Sequence, residues 1–205
     1  MTLGKRLFDL TIAVFMTVLL SPLILLICLV LLIVEGRPIL YVAERMASPT
    51  RAFGLVKFRT MRPDAATSGV TGGDKSARMS GLHRFLRRTR ADELPQLWNV
   101  VRGDMSLVGP RPPLRKYVEV FPDLYAQVLR SRPGVTGLAS LLFHAHEERL
   151  LAACKTPAET DAVYRRRCVP RKARLDLIYQ TRRTACFDLM LVLHTAAKPF
   201  RRHRT

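Results

Sequence analysis

One uncharged apolar stretch constrains this chain more than any other feature. No charged residue occurs between Asp9 and Glu35, and residues 10–34 are mostly Leu, Ile and Val. As a single helix this stretch extends over about 37 Å, enough to cross a bilayer core of roughly 30 Å. It is too long for the apolar region of a cleaved signal peptide, and a soluble helix is not apolar on every side over such a length. The stretch therefore predicts a membrane segment.

Two topologies are compatible with this segment. Ser21 and Pro22 lie near its centre, where the proline kinks or breaks a helix and the serine hydroxyl can bond a freed carbonyl. Basic residues flank both ends, and such residues favour the cytoplasmic side. A re-entrant helix that enters and leaves through one leaflet keeps both flanks in the cytoplasm, whereas a kinked spanning helix does not. The residues alone leave both topologies open.

The net charge predicts an anionic partner. The chain has 34 Lys and Arg residues against 16 Asp and Glu, a formal charge of +18. Such a charge suits nucleic acid, an anionic membrane surface or phosphorylated substrates. We expect two basic clusters, Arg165-Arg166-Arg167 and Arg171, Lys172 and Arg174, to face anionic lipid headgroups. No nucleic-acid motif or aromatic platform occurs, which argues against nucleic acid. A membrane-tethered nucleic-acid binder and a non-catalytic scaffold are the alternatives to an enzyme.

The remaining residues predict an α/β domain that is mostly helical with a few short strands. Strands are expected over residues 39–43 and 53–58, and a loop over 63–75. A helix should begin at Ser80, and a second, over residues 93–101, carries Leu94, Leu97, Trp98 and Val101 on one face. Residues 132–137 are typical of a rigid turn. One helix or two short ones are expected over residues 117–129, and further helices over 147–154, 159–167 and 188–198.

Asp92 and Glu93 are the candidate chemical centre. Asp92 comes just before the second helix, so it can simply cap that helix while Glu93 complements its dipole. The context also allows chemistry, because basic residues can surround the pair. Two carboxylates beside phosphates suit Mg²⁺, and a carboxylate can itself attack phosphorus. The pattern therefore permits metal-assisted phosphoryl transfer through an aspartyl intermediate. The basic residues expected around the pair are Lys57, Arg59, Arg87, Arg88, Arg90 and Arg111.

Several motifs resemble the bacterial sugar transferase family, the small monotopic phosphoglycosyl transferases that start the assembly of surface glycans. The central block over residues 92–112, which includes Asp92-Glu93-Leu94-Pro95-Gln96-Leu97-Trp98-Asn99, is long and specific. The other matching stretches are Lys5-Arg6-Leu7-Phe8-Asp9, Leu20-Ser21-Pro22, Lys57-Phe58-Arg59-Thr60-Met61, Arg132-Pro133-Gly134-Val135-Thr136-Gly137, and Asp176, Tyr179 and Phe187-Asp188-Leu189.

The resemblance implies a mechanism. Asp92 would attack the sugar-bearing phosphate of a UDP-sugar, UMP would leave, and polyprenyl (undecaprenyl) phosphate would then carry off the sugar phosphate. Glu93, together with Asp92, would hold Mg²⁺ and position the site. Lys57, Arg59, Arg87 and Arg111 match basic positions that can hold the diphosphate or the lipid phosphate.

The resemblance also implies the organisation of the chain. Residues 1–36 would form a re-entrant helix hairpin broken at Ser21 and Pro22. Residues 37–205 would form the catalytic domain, with amphipathic interfacial helices, on the cytoplasmic face of the bacterial inner membrane. Residues 138–148 depart from the pattern common in the family, so the sequence does not identify the sugar or the glycan pathway. It leaves a homo-oligomer open as well.

Overall fold

The computed structural model describes residues 2–61 and 79–201. Its first element is helix α1, Leu3–Val34, which begins at Thr2, whose side chain accepts a hydrogen bond from the Lys5 amide. This is the one described helix that is long and apolar enough to cross a membrane. The loop predicted over residues 63–75 lies outside the described residues.

Helix α1 continues through Ser21 and Pro22 without interruption, so the predicted break into two helices is not observed. Pro22 lacks the N–H that would bond the carbonyl of Val18 one turn earlier. The hydroxyl of Ser21 donates to that carbonyl instead, at 2.8 Å. The predicted role of Ser21 in satisfying a freed carbonyl is therefore confirmed, and this bond helps to keep the helix continuous.

Both ends of α1 contact the same domain. The Arg6 guanidinium donates to the carbonyls of Val100 and Val101 at 2.6 and 2.8 Å. At the other end, Ile27 and Leu31 are buried against Phe58 and Leu86. Between the buried residues Ala13 and Ile27, no residue of α1 is buried.

The two predicted strands near α1 form an antiparallel hairpin, β1 over Leu40–Met46 and β2 over Ala52–Phe58. Tyr41 pairs with Lys57 in this register. The inner face of β2 buries Phe53 and Leu55 in a cluster with Leu97 and Val100. This packing places Lys57, near the end of β2, beside the turn that carries Asp92.

Two helices and a tight turn build the central block. Helix α2, Gly81–Thr89, begins with a capping box at Ser80, and α3, Gln96–Arg102, ends at Gly103 in the left-handed conformation. Between them Ala91–Glu93 form a 3₁₀ turn. The second helix thus starts three residues later than predicted, and the capping interpretation of Asp92 is wrong because Pro95 occupies the N-cap of α3.

Two of the sequence motifs meet as a parallel pair of short strands, β3 over Ser106–Val108 and β4 over Gly134–Thr136. The turn predicted over residues 132–137 is therefore largely a strand. Three glycines allow the backbones to approach closely here. A Cβ added to Gly137 would lie 2.1 Å from the Gly109 carbonyl oxygen, and one added to Gly134 would lie 2.1 Å from the Gly109 nitrogen.

The rest of the described chain is helical, which confirms the mostly helical class. Helix α9 was not predicted, because its first turn contains Pro170 and its apolar positions are interrupted by arginines. The tyrosines Tyr117, Tyr125 and Tyr164 form a core with Val169. The helices are α4 (Arg115–Val120), α5 (Pro122–Val128), α6 (Leu138–Leu142), α7 (His144–Ala152), α8 (Pro157–Val163), α9 (Val169–Arg182) and α10 (Ala185–Arg201), with a π-helical turn at Tyr164–Cys168 before α9.

Candidate active site

Asp92 and Glu93 lie in the 3₁₀ turn between α2 and α3. Arg90 ends α2 with a positive φ of 60°, which redirects the chain into this turn. Non-glycine residues adopt this conformation rarely, and it often marks a functional site. Asp92 is only 6% exposed. The turn therefore holds one carboxylate in a largely dry environment next to a second.

Two guanidinium groups fix Glu93. Arg111 Nη2 lies 2.8 Å from Glu93 Oε1, and Arg90 Nη2 lies 3.1 Å from Glu93 Oε2. Burial by itself would raise the pKa of Glu93, but the charges of Arg111 and Arg90 outweigh it and lower that pKa to about 2. In return, the Glu93 carboxylate raises the pKa of Arg111. Glu93 is therefore an ionised, oriented group at any working pH.

Asp92 has the opposite electrostatic character. Burial and then the neighbouring charge of Glu93 raise the pKa of Asp92 to about 6, although Arg87, Lys57 and Arg111 oppose the shift. A carboxylate that is held partly desolvated and close to its pKa is a more reactive nucleophile or base than a solvated one. The pair thus consists of one carboxylate that is held ionised and one whose pKa is raised. This combination is common at catalytic sites.

Lys57, Arg87 and Arg111 surround Asp92 electrostatically, as predicted. Burial and then the charge of Arg87 lower the pKa of Lys57 to about 8, and its ammonium lies 5.5 Å from the centre of the Tyr41 ring. Burial likewise lowers the pKa of Arg87. Cations that repel one another while lying partly buried form a favourable site for phosphate groups.

Arg59 does not join this group. Its guanidinium donates to the carbonyls of Glu35, Gly36 and Arg37, at 2.8, 3.1 and 3.2 Å. The side chain thereby holds the end of α1 against β2. This placement gives Arg59 a structural role and does not support its prediction as a phosphate ligand.

A second charged network stabilises the attachment of α1. Lys5 lies 2.7 Å from Asp9 and 2.8 Å from Asp188, and the Tyr179 hydroxyl donates to Asp188 at 2.6 Å. The Ser106 hydroxyl donates to Asp9 at 2.6 Å. These residues join α1, β3, α9 and α10. Their presence in the family motifs therefore has a structural explanation.

Lys172 and Glu147 form a buried pair that the sequence did not predict. Both Glu147 carboxylate oxygens lie 3.0 Å from the Lys172 ammonium, and Lys172 is 9% exposed, so its assignment to lipid headgroups is wrong. The charge of Glu147 also acts on Arg111. Because α9 was not predicted, no sequence pattern indicates that Lys172 points inward.

The two carboxylates at the turn can hold a magnesium ion if substrate phosphates and water supply its other ligands. Among residues 2–61 and 79–201, no group of three or more His, Cys, Asp and Glu side chains is placed to hold a metal. The site itself offers two carboxylates, and Glu93 already bonds two guanidinium groups. Mg²⁺ commonly binds through one or two carboxylates and completes its shell with substrate phosphates and water.

This geometry and the motifs agree with comparisons to known proteins. The family model for bacterial sugar transferases matches residues 1–202. The chain belongs to this family.

Three named relatives are similar to the chain over about two thirds of its length. The "Uncharacterized sugar transferase EpsL" of Bacillus subtilis is 39% identical over 137 residues, 67% of each chain. The UDP-glucose:undecaprenyl-phosphate glucose-1-phosphate transferase of Caulobacter vibrioides is 39% identical over 148 residues, which cover 68% of this chain and 54% of the relative. The UDP-N-acetylgalactosamine-undecaprenyl-phosphate N-acetylgalactosaminephosphotransferase of Aeromonas hydrophila is 33% identical over 144 residues, 67% and 34% of the two chains. The chain thus spans between about a third and two thirds of these curated relatives.

Proposed function

We propose that this protein transfers a sugar-1-phosphate from a UDP-sugar to polyprenyl (undecaprenyl) phosphate. This reaction would be the first membrane step in the synthesis of a surface glycan such as exopolysaccharide, O-antigen or a glycoprotein glycan. The observation that carries the proposal is the electrostatic contrast within the pair: buried Asp92 has a pKa of about 6, while Arg111 and Arg90 hold Glu93 ionised.

The proposed reaction consists of two successive displacements at one phosphorus atom. A carboxylate oxygen of Asp92 attacks the phosphorus that bears the sugar, and the bond from that phosphorus to the bridging oxygen breaks, so UMP leaves with that oxygen. A phosphate oxygen of the polyprenyl phosphate then attacks the same phosphorus. The Asp92 carboxylate leaves, and the product is a polyprenyl diphosphate sugar. Asp92 is therefore ionised when it attacks in the first step and when it leaves in the second.

The surrounding cations would bind the charged groups in both steps. Lys57, Arg87 and Arg111 approach Asp92 from different elements, which suits the several oxygens of a diphosphate. Arg111 is already oriented by Glu93, so it loses little freedom on binding. Mg²⁺, bound by Asp92 and Glu93 together with the donor diphosphate, would neutralise the charge that develops on the leaving UMP.

We propose that α1 is re-entrant and that the catalytic domain lies on the cytoplasmic face of the inner membrane. Two observations support this. Both ends of α1 contact one domain, through Arg6 and through Arg59. The unburied part between Ala13 and Ile27 covers about 20 Å, less than a bilayer core of roughly 30 Å. A helix that enters and leaves through one leaflet satisfies both.

Anionic phospholipids are the second proposed partner. Arg165, Arg166 and Arg167 are exposed on the π-helical turn, and Arg171 and Arg174 are exposed on α9. Each basic side chain near an anionic surface contributes about 1 kcal/mol to membrane binding. These residues remain candidates for headgroup contact, whereas Lys172 does not.

A panel of UDP-sugars tests the proposed activity. Full-length protein with Mg²⁺ and polyprenyl phosphate should release UMP from at least one member, and Asp92→Asn should abolish this release. Asp123→Asn, an exposed aspartate on α5, is the matched control and should retain activity. If the wild-type protein releases UMP from no UDP-sugar, the scaffold and nucleic-acid alternatives become the better explanations, and a salt-sensitive gel shift of DNA separates those two.

A further inference from the structure

Trp98 is exposed where the sequence pattern predicted a shared apolar face. It lies on α3, on the same side of the helix as Val101 three residues later, and Leu94 precedes α3 at the end of the 3₁₀ turn. Leu94 packs against the cluster that contains Ile27 and Leu31, and Val101 packs against the cluster that contains Ala13. Trp98 itself is 60% exposed. An exposed tryptophan between two packed neighbours needs a separate explanation.

The two clusters on either side of Trp98 contain the two ends of the exposed part of α1. Ala13 is the last buried residue before that part, and Ile27 is the first buried residue after it. The residues that follow Ala13 directly, Val14 and Phe15, are 46% and 63% exposed. Trp98 therefore lies between residues that pack against the two ends of the exposed part of α1.

Basic groups accompany Trp98 at this level. The Arg6 guanidinium bonds the carbonyls of Val100 and Val101, and Arg102 is largely exposed. Indole rings concentrate at the boundary between headgroups and acyl chains, because one edge of the ring is polar and the rest is apolar. Nearby cations suit the headgroup phosphates of the same zone.

We infer that Trp98 contacts the lipid bilayer, with its indole at the boundary of headgroups and acyl chains beside the exposed part of α1. The inference rests on the membrane association proposed above. Since only five residues separate Trp98 from Asp92, this contact sets the depth of the catalytic turn close to the headgroup phosphates. A lipid-borne phosphate can then reach Asp92 without leaving the membrane surface.

The chain offers a direct readout, because Trp98 is its single tryptophan. The full-length protein is placed in phosphatidylethanolamine–phosphatidylglycerol vesicles whose acyl chains carry bromine near the headgroup or near the terminal methyl. The inference predicts a blue-shifted emission and loss of most of the fluorescence with bromine near the headgroup. It predicts a smaller loss with bromine near the methyl end.

Two relocated tryptophans serve as controls in a Trp98→Phe background. Phe15→Trp reports the exposed part of α1, and Ala126→Trp reports the exposed surface of α5. If Trp98 is quenched no more than the Ala126→Trp variant while Phe15→Trp is quenched, the inference fails and the membrane association stands. If neither Trp98 nor Phe15→Trp is quenched, both fail. The measurement needs no enzymatic activity, so a failure of the proposed reaction does not affect its outcome.

Discussion

At the scale of single residues, the site separates two adjacent carboxylates by their environments. Glu93 bonds two guanidinium groups, which hold its pKa at about 2, whereas burial raises the pKa of Asp92 to about 6. Two carboxyl groups whose pKa values are pushed apart commonly have different roles in catalysis. Here the fixed anion orients Arg111, and the less strongly stabilised carboxylate is available for attack.

The pH dependence of UMP release should report this arrangement. Asp92 must be ionised to attack, so the rate should rise by about tenfold per pH unit below pH 6 and then level off. Above about pH 8, Lys57 loses its charge and the rate should fall. Initial rates at saturating UDP-sugar give this profile.

Arg87→Gln tests whether Asp92 is the group whose ionisation makes the rate rise below pH 6, the acid limb of the profile. Arg87 contributes the largest of the positive charges that lower the pKa of Asp92, so its removal should move the limb to higher pH. Arg88→Gln, on the exposed side of the same helix, is the control and should leave the limb in place. An unchanged limb in Arg87→Gln would mean that a group other than Asp92 titrates there.

At the scale of elements, the family motifs prove to be largely structural. The stretch before Gly109 and the stretch around Gly134 form the parallel pair β3 and β4, which only glycines allow to close. The following loop then directs Arg111 toward Glu93. The pairing of these two strands is thus a condition for an oriented Arg111.

Gly137→Ala should therefore destabilise the protein. The added Cβ would lie 2.1 Å from the Gly109 carbonyl oxygen, so the backbones must separate, at a cost of about 1–3 kcal/mol or more. The apparent melting temperature in detergent should fall. Gly81→Ala, whose Cβ meets nothing within 4 Å, is the matched control and should melt with the wild type. Equal melting of both variants would contradict the close approach of β3 and β4.

The sequence predicted local structure well where periodicity or turn chemistry decided it. The two strands β1 and β2, helix α2 and the helical stretch that holds α4 and α5 were predicted, and so was the assembly of Lys57, Arg87 and Arg111 around Asp92. It failed where tertiary contacts decide. Nothing local shows that Arg59 bonds the end of α1, that Lys172 is buried, or that Trp98 is exposed.

At the scale of the whole molecule, both ends of α1 are held by the same domain. The Lys5, Asp9 and Asp188 network holds the first end, and Arg59 holds the second. Losing one partner of a buried charge pair costs about 3–5 kcal/mol, so the first end does not detach readily. On the proposed function, the basic residues behind the net charge of +18 are divided among a phosphate site, a membrane-facing surface and internal ties such as Lys5 and Lys172.

Cysteine labelling in cells tests this topology. In a Cys186→Ser background, which removes the exposed native thiol, Thr2→Cys should be protected from an impermeant maleimide in intact cells. It should label after permeabilisation. Labelling of Thr2→Cys from outside intact cells would contradict the re-entrant topology.

The covalent step is the central claim, and a reaction without the lipid acceptor tests it most directly. Wild-type protein given an accepted UDP-sugar and Mg²⁺ should release a stoichiometric amount of UMP and gain the mass of one sugar phosphate on Asp92. Polyprenyl phosphate should then remove this mass, and Asp92→Asn should show neither event. UMP release that occurs only when the acceptor is present, with no adduct at any time, would contradict the account.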